Sequence, residues 1–174
     1  MNFKDFDYLD SKSFKGKILL TSFPGLNKEG NYDKSLFLQQ LNLFQENNCS
    51  SIVSFVEDKE FEKLSGKKYF VKMIYQNKLN WHHLPITDLG APNHEFKEKW
   101  EITKPLLKNE LLDGKNIIFH CRGGKGRAGT VAAILLIDFG YDKKEAIDLV
   151  RSKRVGAIET EKQQKFIFSY RAIN

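Results

Sequence analysis

NIIFHCRGGKGRAGTVAAILL, residues 116–136, joins two apolar segments through eleven residues, His120–Thr130, that hold one cysteine, three cations and four glycines. Asn116–His120 reads as a buried strand. From Ala128 the pattern AGTVAAILLIDF reads as a helix that stops at Gly140, a residue suited to a helix C-terminus. Between strand and helix, a glycine-rich turn points its backbone N–H groups inward as an anion nest, and the helix N-terminus adds positive potential. Arg127, six residues after Cys121, brings a planar fork that suits phosphate oxygens. The same field favours a thiolate at Cys121. One loop is therefore expected to bind a phosphate group and to aim a nucleophile at its phosphorus.

Outward from this unit, strands and helices alternate. Lys17–Ser22, Ser51–Val56 and Tyr69–Met73 read as strands, and Trp81–Pro85 as a further extended segment. Asp33–Glu46 carries Phe37, Leu41 and Phe44 at helical spacing, and Lys59–Leu64 reads as a short helix. Asn93–Leu112 is a long amphipathic helix with Asn93 as its cap and Phe96, Trp100, Leu107 and Leu111 along one face. Asp142 caps a helix through Arg151, and Thr160 with Gln163 forms a capping-box signature that opens the last one. The pattern predicts an α/β fold with a central, mostly parallel sheet flanked by helices. No repeat or linker divides it, so residues 1–174 read as a single domain in which 1–16 form an N-terminal extension.

The 174 residues are 41% hydrophobic and 29% charged, ordinary for a globular protein with a core of its own. The net charge of +6 raises the question of an anionic partner, but the lysines are spread along helix faces. The aromatic residues recur at helix and strand periods, as core does, and nucleic acid is not expected as a partner. Cys49 and Cys121 make no disulfide framework, which points to a reducing compartment, the cytoplasm. The first residues mix acids and bases without the apolar run of a signal peptide. The longest apolar stretch, Thr130–Ile137, is too short for an integral membrane segment. His82 and His83 are adjacent and face opposite ways on a strand, and with His94 and Cys49 they fit no ligand spacing. Neither metal nor cofactor is expected.

Phosphoryl transfer to Cys121 expels an alkoxide or phenoxide, which needs a proton from a positioned carboxylic acid. Asp88, in Pro85-Ile86-Thr87-Asp88-Leu89-Gly90, follows an extended segment and lies in a loop able to move. Glu57, Asp58 and Glu60 also lie near a strand end, but no motif supports them. The cradle for the phosphate would be Arg122, Gly123, Gly124, Lys125, Gly126 and Arg127, with His120 orienting the loop next to the thiolate.

His120-Cys121-x-x-Gly124-x-x-Arg127 resembles the signature of the protein tyrosine phosphatase superfamily. The wider run FHCRGGKGRAGTVAAILL, with LPITDLGAPN upstream and VGAIETEKQQKFIFSY downstream, is most similar to the kinase-associated phosphatase branch of dual-specificity phosphatases. The similarity runs from about Lys17 to the C-terminus. It implies a cysteine-dependent phosphatase fold, a phosphocysteine intermediate on Cys121, Arg127 as phosphate clamp, Asp88 as general acid on a separate loop, and no metal.

Two positions depart from that pattern. The family's Ser or Thr after the signature arginine, whose hydroxyl helps the cysteine sulfur leave, is Ala128 here. Thr130 faces another side of the helix and is a doubtful substitute. Glu159 stands where the family has a glutamine that orients the attacking water, and Gln163 is the better candidate for that task. Both departures bear on hydrolysis of the intermediate. The expected substrate is a phosphorylated protein, carrying phosphotyrosine and also phosphoserine or phosphothreonine. Two alternatives stay open. Arg122 and Lys125, paralleled in tensin-related phosphatases, suggest an inositol phospholipid, and the departures suggest a slow phosphate-binding module.

Overall fold

The structure, a computed structural model, describes residues 6–172. Five strands form one sheet in the order β1-β2-β5-β3-β4. They are β1 (Phe6–Leu9), β2 (Ile18–Thr21), β3 (Cys49–Ser54), β4 (Asn80–His83) and β5 (Asn116–His120). β1 runs antiparallel to β2 and the other pairings are parallel. This is the mostly parallel α/β sheet that the alternation predicts. The central strands are apolar on both faces because helices cover them. Ile18, Leu19, Leu20, Ile52, Val53, Ile117, Ile118 and Phe119 are all buried.

Seven helices are described: α1 (Lys34–Glu46), α2 (Asp58–Lys63), α3 (Lys67–Gln76), α4 (His94–Leu112), α5 (Gly126–Asp138), α6 (Lys143–Lys153) and α7 (Glu161–Ser169). Asp33, Asn93, Asp142 and Thr160 each accept hydrogen bonds from first-turn amides of the helices they precede, as their sequence positions imply. α5 packs on β2 and β5 and touches α6 and α7. It is buried from Gly126 to Ile137, so its nearly continuous apolar run reflects burial on all sides. None of the helices described is long and apolar enough to cross a membrane.

One expected strand is a helix. Tyr69–Met73 lies inside α3, where Phe70 and Ile74, four residues apart, are buried. The aromatic and β-branched residues there mimic a strand locally, and the 3.6-residue spacing of the buried pair decides the matter. Within the segment read as an N-terminal extension, Phe6 and Leu9 enter the core as the ends of β1.

The sheet register sets the site. Thr21, His120, Ser54 and His83 are aligned across β2, β5, β3 and β4 as the last residues of their strands. The glycine-rich loop leaves β5 at that carboxyl edge, where open α/β sheets place their ligands.

Candidate active site

Cys121 follows β5 directly and is 3% exposed. Its Sγ accepts a hydrogen bond from the Gly124 amide at 3.2 Å, which turns that N–H of the loop toward the sulfur. The fold of the loop requires glycine at 124. Its φ is +69°, and a Cβ there would collide with the Thr21 carbonyl of β2. The carbonyls point the other way and are held from outside. Phe23 N donates to Arg122 O at 3.0 Å. Lys125 O accepts from Gly129 N at 3.0 Å and Ile158 N at 3.3 Å. The Arg154 fork donates to Gly123 O at 3.1 Å and Gly124 O at 3.2 Å. Arg122, Gly123 and Lys125 are exposed at the surface of the loop.

Arg127, in the first turn of α5, is buried, and its guanidinium is gripped by Glu60 of α2. Nη1 donates to Glu60 Oε2 at 2.7 Å and Nη2 to Glu60 Oε1 at 2.9 Å, a bidentate fork. Nη1 also donates to the Ile86 carbonyl at 3.1 Å. Burial alone would raise the Glu60 pKa. Hydrogen bonds from Arg127 and the Glu57 amide, with the charge of Arg127, reverse this and hold the carboxyl below its ordinary range. No sequence motif marks Glu60 as part of the site. Its only local signal is the Glu57-x-x-Glu60 spacing of a capping box, which the structure contains, and that spacing says nothing about an arginine 67 positions away.

Asp88 comes to the same guanidinium, with Oδ1 3.0 Å from Arg127 Nη2 and the side chain 58% exposed. Its loop is a turn closed by Gly90 N on Thr87 O at 2.8 Å, with Leu89 in the left-handed region at φ 56°. That strained conformation is held by α7 and its cap. Thr160 Oγ1 donates to Leu89 O at 3.2 Å and Gln163 Nε2 to Gly90 O at 3.1 Å. Gln163 Oε1 accepts from the amides of Glu159 and Thr160 at 2.9 and 3.2 Å. Gln163 thus ties the start of α7 to the Asp88 loop through both ends of its amide. Glu159 is exposed, and its carboxylate lies against Gly126, where it would meet a Cβ on that residue.

His120 is buried, with Nε2 2.6 Å from Ser54 Oγ, and Trp81 Nε1 donates to the same hydroxyl at 2.9 Å. Tryptophan only donates, so the serine oxygen accepts from Trp81 and its proton is available to Nε2, while Nδ1 lies 3.4 Å from the Cys121 carbonyl. Burial drives the His120 pKa down to about 3, so the ring is neutral and acts as a brace. Ala128 is buried, and the Thr130 hydroxyl donates to Gly126 O at 2.7 Å, away from the sulfur. Cys49 has its thiol pushed up to about 12 by burial and lies at the start of β3, the far end of the strand from the site.

A thiol at the floor of an amide nest, an arginine fork at the start of the following helix and a carboxylate on a facing loop are the arrangement of a cysteine-dependent phosphatase domain. Residues 52–167 match the family model described as Swiss Army Knife protein, DSP-PTPase phosphatase domain, and the chain belongs to that family. It is 37% identical over 89 residues to protein tyrosine phosphatase type IVA 3 of Bos taurus, spanning 50% of this chain and 49% of that one. It is 38% identical over 93 residues to cyclin-dependent kinase inhibitor 3 of Rattus norvegicus, spanning 52% of this chain and 42% of that one. These alignments take in half or less of the relatives' length. Among solved structures, kinase associated phosphatase with its catalytic-site cysteine replaced by serine superposes with a TM-score of 0.80 at 24% identity, covering 93% of this chain and 90% of that one. Tk-PTP in its active form gives 0.70 at 24% identity, covering 96% and 95%.

Proposed function

We propose that this chain is a phosphatase that hydrolyses phosphotyrosine, and also phosphoserine or phosphothreonine, on proteins through a phosphocysteine intermediate. The observation that carries this reading is the Gly124 amide on Cys121 Sγ at 3.2 Å, inside a loop whose other wall is the Arg127 guanidinium. Cys121 is the nucleophile. The amides from Arg122 to Arg127 and the Arg127 fork receive the phosphate oxygens, and binding of the dianion displaces the Asp88 carboxylate from Arg127. Asp88 is then the acid that protonates the leaving oxygen, on a turn that α7 keeps over the loop. Glu60 holds Arg127 in the plane the phosphate needs, and His120 braces the start of the loop. Glu159, whose carboxylate lies against Gly126 of the loop, receives the water that attacks phosphocysteine, while Gln163 holds the Asp88 turn through Gly90 O. The mechanism calls on no metal or cofactor. A thiolate nucleophile requires reducing conditions, and we place the protein in the cytoplasm on that ground.

An inositol phospholipid is the second reading, and the exposed Arg122 and Lys125 on the loop favour it. A solved structure of PTPMT1 in complex with PI(5)P shares the fold, with a TM-score of 0.63 at 17% identity. The protein reading ranks first because several of the curated relatives, type IVA 3 among them, are named as protein tyrosine phosphatases. A panel of phosphotyrosine peptide, phosphothreonine peptide and inositol phosphates, assayed for phosphate release by the wild-type protein, tests both. Highest kcat/KM on the phosphotyrosine peptide supports the proposal, and preference for the inositol phosphates overturns the substrate assignment. No release from any member would leave a phosphate-binding module in place of an enzyme.

A further inference from the structure

The glycines at 123 and 124 give the loop its shape and leave it without side chains to anchor it. A Cβ on Gly123 would meet nothing within 4 Å, and Gly124 holds a positive φ. Yet a nest works only if its amides are already aimed when the anion arrives. In a planar trans peptide the C=O and N–H point in opposite directions, so whatever fixes a carbonyl outside the loop fixes an amide inside it.

Arg154 grips two consecutive peptide units in this way. Its Nη2 donates to Gly123 O at 3.1 Å, and the N–H of that same unit, on Gly124, donates to Cys121 Sγ at 3.2 Å. Its Nε donates to Gly124 O at 3.2 Å, which turns the Lys125 amide toward the interior. Arg154 is in turn held by a distant part of the chain. Its Nη1 donates to Asp7 Oδ2 at 2.8 Å, the two side chains being 12% and 41% exposed. Asp7 lies in β1, the antiparallel edge strand. One guanidinium therefore spans the edge of the sheet and the outer wall of the phosphate loop.

We propose that Arg154 is a positioning residue for phosphate binding and that Asp7 of β1 sets its aim, making the edge strand part of the catalytic apparatus. This rests on the phosphatase reading for its purpose, while the contacts themselves do not. The planar fork matters, because a lysine is a point charge and does not span two carbonyls at once.

The test uses the full chain with Asp7→Ala, Arg154→Ala, Arg154→Lys and the double variant Asp7→Ala/Arg154→Ala. Two properties are measured: tungstate affinity, and the pH dependence of Cys121 alkylation by iodoacetamide, located by peptide mapping. Arg154→Ala is expected to weaken tungstate binding by about 30-fold and to move the alkylation profile to higher pH. Arg154→Lys recovers part of both. Asp7→Ala weakens binding by about 5-fold in the wild-type background and has no effect when Arg154 is already alanine, the coupling expected of residues acting in series. Equal effects of Asp7→Ala in both backgrounds would overturn the proposal. So would an Arg154→Ala protein that melts lower but keeps the wild-type affinity and alkylation profile. If Arg154→Ala does not fold, Arg154→Lys and Asp7→Ala decide, and wild-type affinity in both counts against it. A wild-type protein that binds no tungstate would refute the phosphatase reading instead, and the alkylation profiles would still judge the tether.

Discussion

Removing Glu60 should do more damage than removing any other carboxylate near the loop. Arg127 is 2% exposed and Glu60 7%, so Glu60→Ala leaves a buried guanidinium without its bidentate partner. Breaking a buried pair from one side costs about 3–5 kcal/mol, out of a typical total of about 5–15. Asp88 touches the same fork, but its side chain is 58% exposed, and a screened surface pair of that kind contributes about 1 kcal/mol at most. It does not make up the loss. For a domain of this size the variant should melt about 6–20 °C lower. Activity should fall too, because a freed fork loses its alignment with the phosphate, and misplacement by an ångström costs on the order of 100-fold. Urea and thermal unfolding measure the first effect, and kcat/KM on an aryl phosphate the second. The pH dependence carries its own sign. Arg127 and the Glu57 amide hold the Glu60 carboxyl below its unfolded value of about 4.3, so its stabilisation is complete above that pH and is lost as pH falls through the lower, folded value. Glu60→Gln should flatten that acid limb. Stability within about 1 kcal/mol of wild type for Glu60→Ala would refute the reasoning, because no buried pair loses a partner so cheaply.

Four further outcomes rest on the same geometry. Cys121→Ser should abolish phosphate release, and Asp88→Asn should lower kcat most for poor leaving groups, with little change for an activated aryl phosphate; a uniform effect would remove Asp88 from the role of acid. Ala128→Ser should speed turnover by about 10- to 100-fold if hydrolysis of the intermediate is limiting, since one charge-assisted hydrogen bond contributes about 1.5–3 kcal/mol; an unchanged kcat would move the slow step elsewhere. His120 stays neutral in the fold down to about pH 3, whereas it protonates near 6.5 when unfolded, so its contribution is complete above pH 6.5 and declines as pH falls from there. Urea unfolding at pH 7 and pH 5 should show that decline, and His120→Gln should reduce it, with a remainder from His82 and His83, whose pKa values burial also lowers.

The central unit was legible in the sequence because its signals are local. An apolar strand, a run of glycines and an apolar helix are adjacent in the chain, and Cys121 and Arg127 lie within it. The Asp88 loop and the Thr160–Gln163 cap are also short-range patterns. What was not legible depends on distant partners. The four-residue β1 owes its existence to pairing with β2 and to the burial of Phe6 and Leu9. α3 carries strand-forming residues and becomes a helix because Phe70 and Ile74 both reach the core. Glu60 and Arg154 look like ordinary surface charges in the sequence. Their roles appear only when folding brings them to Arg127 and to the carbonyls of Gly123 and Gly124. Gln163, expected to hold water, has its carbonyl oxygen shared by two backbone amides and its amide nitrogen on Gly90, which turns attention to Glu159 for that task.

The covalent bond between Cys121 and phosphorus is the central step of the proposed reaction. Acid quenching of the enzyme during turnover of an aryl phosphate, followed by peptide mass mapping, looks for that bond. The expected result is one added phosphoryl group on the peptide containing Cys121, present in Ala128 wild-type protein and lost in Cys121→Ser. Aryl phosphate hydrolysis that continues in Cys121→Ser, with no phosphorylated Cys121 peptide in the wild type, would contradict it.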